Sequence, residues 1–146
     1  MGCDIHICVE VLVNDQWEFF GYASMNRSYA MFTRIAGVRK EVTDFRGENI
    51  EPISLPRGIP DDISPLTKGH VDDWDYDGHS HTWLSSDEFR ELDKWRKARW
   101  PAEYHDGMLE GLWFFGDYLE SWEPKAQVLS SGSPVKDYRL VIWFDN

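Results

Sequence analysis

Cys3-Asp4-Ile5-His6-Ile7-Cys8-Val9-Glu10-Val11-Leu12-Val13 is the stretch on which the fold turns. Ile5, Ile7, Val9, Val11 and Val13 fall on one side of an extended chain, and Asp4, His6, Cys8 and Glu10 on the other. A period of two is that of a β-strand with one core face. Asn14-Asp15 follows as a turn, and residues 16–23 read as the hairpin partner. Near the far end, residues 138–144 are apolar on both faces, as a central strand is. Pairing that strand with the first gives a small antiparallel sheet, an N-terminal hairpin plus a C-terminal strand. Packed with three or more helices, it makes an α+β fold in a single domain spanning residues 1–146.

Between the strands lie the helix signals. Asn26 or Ser28 caps a helix running to about Val38, with Tyr29, Phe32, Ile35 and Ala36 as its apolar stripe and Gly37 at its end. Arg27 at its start opposes the helix dipole, which marks it either as functional or as the partner of an acid elsewhere. Residues 40–62 are interrupted by Pro52, Pro56 and Pro60 and by Gly47 and Gly58, and so form a long loop presenting Arg57 in a stiff turn. Ser64-Pro65 opens a short helix to about Trp74. Ser85 and Glu88 form a capping box, which starts a helix over residues 86–100 with Phe89, Leu92 and Trp95 inward and Pro101 beyond it. Gly107 precedes another helix carrying Met108, Leu112, Phe115, Leu119 and Trp122, stopped by Pro124. Residues 126–129 read as a short strand, and 130–134 as a turn.

The net charge of −11, from 15 basic and 26 acidic residues, argues against non-specific binding of nucleic acid or of an anionic membrane. No apolar run approaches a membrane span and no signal peptide is evident. Cys3 and Cys8, an odd number of positions apart on one strand, fall on opposite faces and do not bridge. They read as reduced thiols in a cytoplasmic protein. The 8 Trp, 6 Tyr and 8 Phe are mostly core, with some left over to stack a flat ligand.

The polar residues concentrate in two places. Residues 73–82 read Asp-Trp-Asp-Tyr-Asp-Gly-His-Ser-His-Thr, and Asp4 and His6 share the same one-residue spacing. Asp73, Asp75, Asp77 and Gly78 match the opening of an EF-hand loop, but Leu84 stands where the bidentate Glu belongs. On an extended segment His79 and His81 point to the same side. If the two places meet, Asp4, His6, His79 and His81 could ligate one divalent metal. Without a metal, the same histidines suit general acid–base cleavage of a phosphodiester, with Arg27, Arg39 and Arg57 holding phosphate and Trp83 or Trp74 stacking a base. The alternative for each histidine is structural: a satisfied sheet residue for His6, a bond to the following helix start for His81. His70 and His105 complete the set of five.

Six blocks of the chain resemble a family of small, largely uncharacterised phage and bacterial proteins. They are the Met-Gly-Cys-Asp-Ile-His start, Arg-x-Tyr-x-x-Phe at 27–32, Ala-Gly-Val-Arg at 36–39, Pro-Arg-Gly at 56–58, His-Ser-His at 79–81 and the Trp-Phe-Asp-Asn end at 143–146. The resemblance implies a phage-type protein acting in the host cytoplasm, and small proteins of that kind often counter host defence. The leading expectation is a protein that binds and cleaves a small cyclic-nucleotide immune signal, with Asp4, His6, His79 and His81 catalytic. A second is a non-catalytic sponge for such a signal, and sponges are often homo-oligomers. A third is an acidic decoy that blocks a host nuclease.

Overall fold

The computed structural model describes residues 2–40, 42–44, 46–100 and 134–146. Along the chain run β1 (Asp4–Val13), β2 (Gln16–Ala23), α1 (Tyr29–Ala36), α2 (Pro65–Asp72), β3 (His79–Ser85), α3 (Ser86–Arg99) and β4 (Asp137–Asp145). The four strands form one antiparallel sheet in the order β2-β1-β4-β3. The α+β expectation holds, and among the described residues β3 is a strand that the sequence did not suggest. The helix expected after Gly107, the short strand at 126–129, Pro101 and His105 lie outside the described residues.

The hairpin closes Val13 on Gln16 across a two-residue turn. Asn14 and Asp15 both take positive φ, 49° and 61°, the conformation whose twist matches the flanking strands. β4 pairs with β1 from Asp4↔Asp145 to Leu12↔Asp137 and with β3 on its other side, so it is central, as its two-sided apolar pattern requires.

Residues directly opposite one another in a sheet share a face. One face therefore carries Ile7, Val9 and Val11 of β1, Tyr138, Leu140 and Ile142 of β4, and Leu84 of β3. It packs against Met31, Phe32 and Ile35 of α1 and Phe89 and Leu92 of α3. Gly37 takes φ +70° after α1, and its N–H caps the Thr33 carbonyl. α3 begins with the full capping box of Ser85 and Glu88.

The second face corrects the expectation of a strand with only one core side. Cys8 and Glu10 are both fully buried. Val71 of α2 and the partly buried Ile59, Ile63 and Trp74 pack over Cys8, Val141 and Trp143. Cys3 and Cys8 do belong to opposite faces, and both are free thiols.

A buried charge cluster fastens the second face to its cover. Glu10 Oε1 accepts from Arg139 Nε at 2.9 Å, and Oε2 accepts from the Ser64 N–H at 2.8 Å and the Thr67 hydroxyl at 2.9 Å. Arg139 also donates to Asp62 at 2.7 Å and lies over the Trp17 ring. Charges this deep survive only when every lone pair and proton has a partner. Here they fix the N-terminus of α2 on the sheet, and α2 forms a wall of the site.

Candidate functional site

β3 contains the local feature that shapes the site. His79 lies opposite Phe144 and Thr82 opposite Ile142, so Ser80 and His81 together face Trp143. That is a β-bulge, and Ser80 provides it with φ +54°. One extra residue reverses the side to which the preceding residue points. His79 and His81 therefore occupy opposite faces, against the expectation that both imidazoles point the same way.

His79 stacks on Phe144, with ring centroids 6.3 Å apart. Its Nε2 lies 3.3 Å from Asn146 Oδ1 and its Nδ1 2.9 Å from the Ser80 hydroxyl. His81 is on the second face with Trp143, on the side of β4 away from His6. His6 lies opposite Trp143 in the β1–β4 register, and its ring is held between Trp74 at 3.9 Å and Trp143 at 5.6 Å. His6 Nε2 donates to Asp145 Oδ2 at 2.7 Å. The N-terminal strand and the 73–82 stretch thus do meet, through His6, Trp74, Trp143 and His81.

Asp4 is turned to a different task. Arg27 Nε and Nη2 donate to its two carboxylate oxygens at 2.9 and 2.8 Å. The hydrogen bond from Arg27 holds the Asp4 carboxyl below its ordinary range. The guanidinium lies so close to Gly2 that a Cβ there would stand 2.2 Å from Nη1. Arg27 is thus the partner of an acid elsewhere, the second of its two sequence readings.

The four expected metal ligands do not assemble. Among the described residues no group of three His, Cys, Asp or Glu side chains is placed to hold a metal ion. The bulge separates His79 from His81, Arg27 takes Asp4, and Asp145 takes His6. The EF-hand-like acids follow α2 in tight turns, with the Asp75, Asp77 and Gly78 N–H groups bonded to the carbonyls of Asp72 and Trp74.

The expected phosphate-binding arginines are also engaged. Arg57 donates to Glu88 at 2.6 Å and lies 4.4 Å from the Trp83 ring centroid. Burial would raise the Glu88 carboxyl, but the Ser85 N–H and Arg57 outweigh it and hold it low. Arg39 lies over Tyr29, 5.0 Å from its ring centroid, near the buried Cys3.

A cleft of about 490 Å³ opens on the second face, lined by Gly58, Ile59, Val71, Asp72, Asp75 and His81. Its one wall is tied to the edge of the sheet: the Gly58 N–H donates to the His81 carbonyl at 2.8 Å, and the Arg57 N–H reaches the Thr82 hydroxyl at 3.4 Å. Its other wall is α2 and the turn after it. Burial pushes the His81 imidazole below its ordinary pKa, and the neighbouring His79 pushes it the same way. His81 is therefore a neutral imidazole at neutral pH, with one ring nitrogen to donate and one to accept.

No protein-family model, curated protein or solved structure matches this chain. Among the described residues no helix is long and apolar enough to cross a membrane. Of the cleft residues, sequence reasoning had singled out His81 and, in another role, Asp75. Asp72 and Gly58 carried no signal of their own, because only the fold of the 57–77 cover brings them to His81. Asp145 as the partner of His6 became visible only through the Asp4↔Asp145 register.

Proposed function

We propose that this chain binds a small nucleoside or nucleotide through its base, in the cleft beside His81, and holds it without cleaving it. The observation that carries the reading is a neutral imidazole opening onto a cleft lined by the Asp75 carboxylate and by Asp72, which is ion-paired with Lys68. Carboxylates favour a ligand edge that donates, such as an exocyclic amino group, and repel phosphate. Ile59 and Val71 supply apolar walls for a flat ring, and about 490 Å³ falls in the size range of small-molecule sites.

Sequestration is favoured over hydrolysis by the arginines. Phosphodiester cleavage needs cations where negative charge develops. Arg27 and Arg57 are each bound to a carboxylate instead, and Arg39 lies on the far side of the sheet, over Tyr29 of α1. The phosphates of a bound nucleotide would point out into solvent, away from the Asp75 carboxylate. The family resemblance supports a phage-type setting, in which such a protein would act as a sponge for a nucleotide signal of host defence.

The test is retention. Purified protein is incubated with a panel of nucleosides and cyclic di- and trinucleotides and passed through a filter. Both fractions are then read by mass spectrometry after denaturation. Capture of a ligand that is later released intact is the expected result, and it should be lost in His81→Ala. New product masses would overturn sequestration in favour of cleavage, and passage of every compound unchanged would remove the pocket reading.

A further inference from the structure

Among the described residues, five that are not glycine take positive φ: Asn14, Asp15, Arg39, Asp75 and Ser80. Asn14 and Asp15 close the β1–β2 hairpin, and Ser80 makes the bulge in β3. Asp75 alone of the five lines the cleft. It lies in the turn after α2 with φ +34°, and its N–H donates to the Asp72 carbonyl at 3.1 Å. Glycine would take that conformation without steric cost, whereas a residue with a side chain is strained there.

Its charge is misplaced as well. α2 ends at Asp72, and a carboxylate beyond the last turn of a helix faces the negative end of its dipole. Asp72 is compensated by Lys68. Asp75 makes no side-chain hydrogen bond or ion pair among the described residues. Conformation and charge thus both count against an aspartate at this position, and no contact among the described residues offsets them. Local rules broken without a compensating contact mark functional positions. The cleft supplies the function: Asp75 stands on the wall formed by α2 and its turn, with the apolar Ile59 and Val71 lining the same space.

We propose that Asp75 is the specificity-determining residue of the cleft: its carboxylate accepts a hydrogen bond from the exocyclic amino group of the bound base, so that amino bases such as adenine or cytosine are taken over keto bases such as hypoxanthine or uracil. This rests on the base-binding reading above and deepens it. An ionised carboxylate can only accept. An amino group satisfies it, through a bond stronger than one between neutral groups. A keto oxygen in the same place sets two acceptors face to face, and a ring edge that carries only hydrogen offers the carboxylate nothing. The affinity order among purine nucleosides is therefore adenosine, then unsubstituted purine riboside, then inosine.

The experiment measures the affinities of adenosine, purine riboside and inosine, and of cytidine and uridine, by calorimetry on the wild type, Asp75→Asn, Asp75→Gly and Asp77→Asn. In the ring class that binds, the wild type should favour the amino nucleoside over its keto counterpart about tenfold, the range of one charge-assisted hydrogen bond. Asn tolerates the left-handed conformation, but its amide can turn to donate or to accept, so in Asp75→Asn the preference should fall below about twofold. Asp77→Asn removes a charge from the same turn outside the cleft lining and should keep the preference. Asp75→Gly should lose the preference while raising the melting temperature by about 1–3 °C, because the strain and the opposed charge go together. A preference that survives in Asp75→Asn, or that falls as far in Asp77→Asn, refutes the role of Asp75 while base binding stands. A lower melting temperature in Asp75→Gly would refute the argument from strain on which the assignment rests. If no nucleoside binds the wild type, both readings fall.

Discussion

Replacing Glu10 by Gln changes one oxygen to an amide nitrogen and should be among the most damaging substitutions in the protein. Glu10 is fully buried and Arg139 nearly so. In the native protein its two oxygens face donors on both sides, Arg139 on one and the Ser64 N–H with the Thr67 hydroxyl on the other. Gln has only one oxygen. Its NH₂ must face either the guanidinium or the Ser64 N–H, and neither can turn into an acceptor. Arg139 also becomes a buried cation with its charge uncompensated on that side. Breaking a buried ion pair in this way costs about 3–5 kcal/mol. For a domain of this size each kcal/mol moves the melting temperature by roughly 2–4 °C, so the expected drop is about 6–20 °C. The assay is urea unfolding followed by tryptophan fluorescence and far-ultraviolet circular dichroism, with thermal melts alongside. The double variant Glu10→Met with Arg139→Met removes both charges and should lose less than the sum of the two single variants. A Glu10→Gln protein within about 1 kcal/mol of the wild type would refute the claim that this cluster fastens α2 to the sheet, since that is the scale of an exposed pair.

Asp4→Asn should change stability by less than about 1 kcal/mol despite its two short bonds to Arg27, because the pair is solvent-exposed and screened; urea midpoints in low and high salt check this. The depressed His81 pKa makes the unfolded chain the better proton acceptor below its ordinary value of 6.5. Stability from this residue is therefore whole above pH 6.5 and is lost as pH falls through the lower folded value. The urea midpoint should drop less between pH 7 and pH 5 in His81→Asn than in the wild type. Burial pushes the Cys8 thiol up to about 12 and raises Cys3 as well. A chromogenic disulfide reagent at pH 8 should leave both thiols unmodified in the native protein and react with both in urea.

The sequence revealed those elements whose polarity matched their period. The hairpin, the central C-terminal strand and the α3 capping box were all legible from residue type and spacing. β3 was not, because His79, Ser80, His81 and Thr82 are polar and the bulge breaks their alternation. The second core face was hidden for a related reason. Pattern reading assigns charge to solvent, whereas Glu10 and Arg139 are buried and paired with each other across 129 positions of the chain. In the site, His81 stood out by residue type and His6 by its spacing from Asp4. Their true companions, Asp145, Trp143 and Asp72, depend on strand register and on how the 57–77 segment folds over the sheet. Arg57 was read as a free cation because an ion pair between distant positions leaves no local trace, whereas Arg27 betrayed its acid partner by opposing the helix dipole.

Ser80 does to this strand what a single inserted letter does to a triplet message: everything on one side of it is read in the other frame. The two histidines look like a chelating pair only while the insertion goes unnoticed. Removing Ser80 would restore the alternation but make His79 and His81 immediate neighbours, opposite Phe144 and Trp143, and adjacent residues of a regular strand point to opposite faces. The two imidazoles reach one wall only if all three residues are kept and the bulge is flattened, which slides His79 one place along β4, so a zinc- or copper-responsive variant would have to be built by shifting the register rather than by shortening the strand.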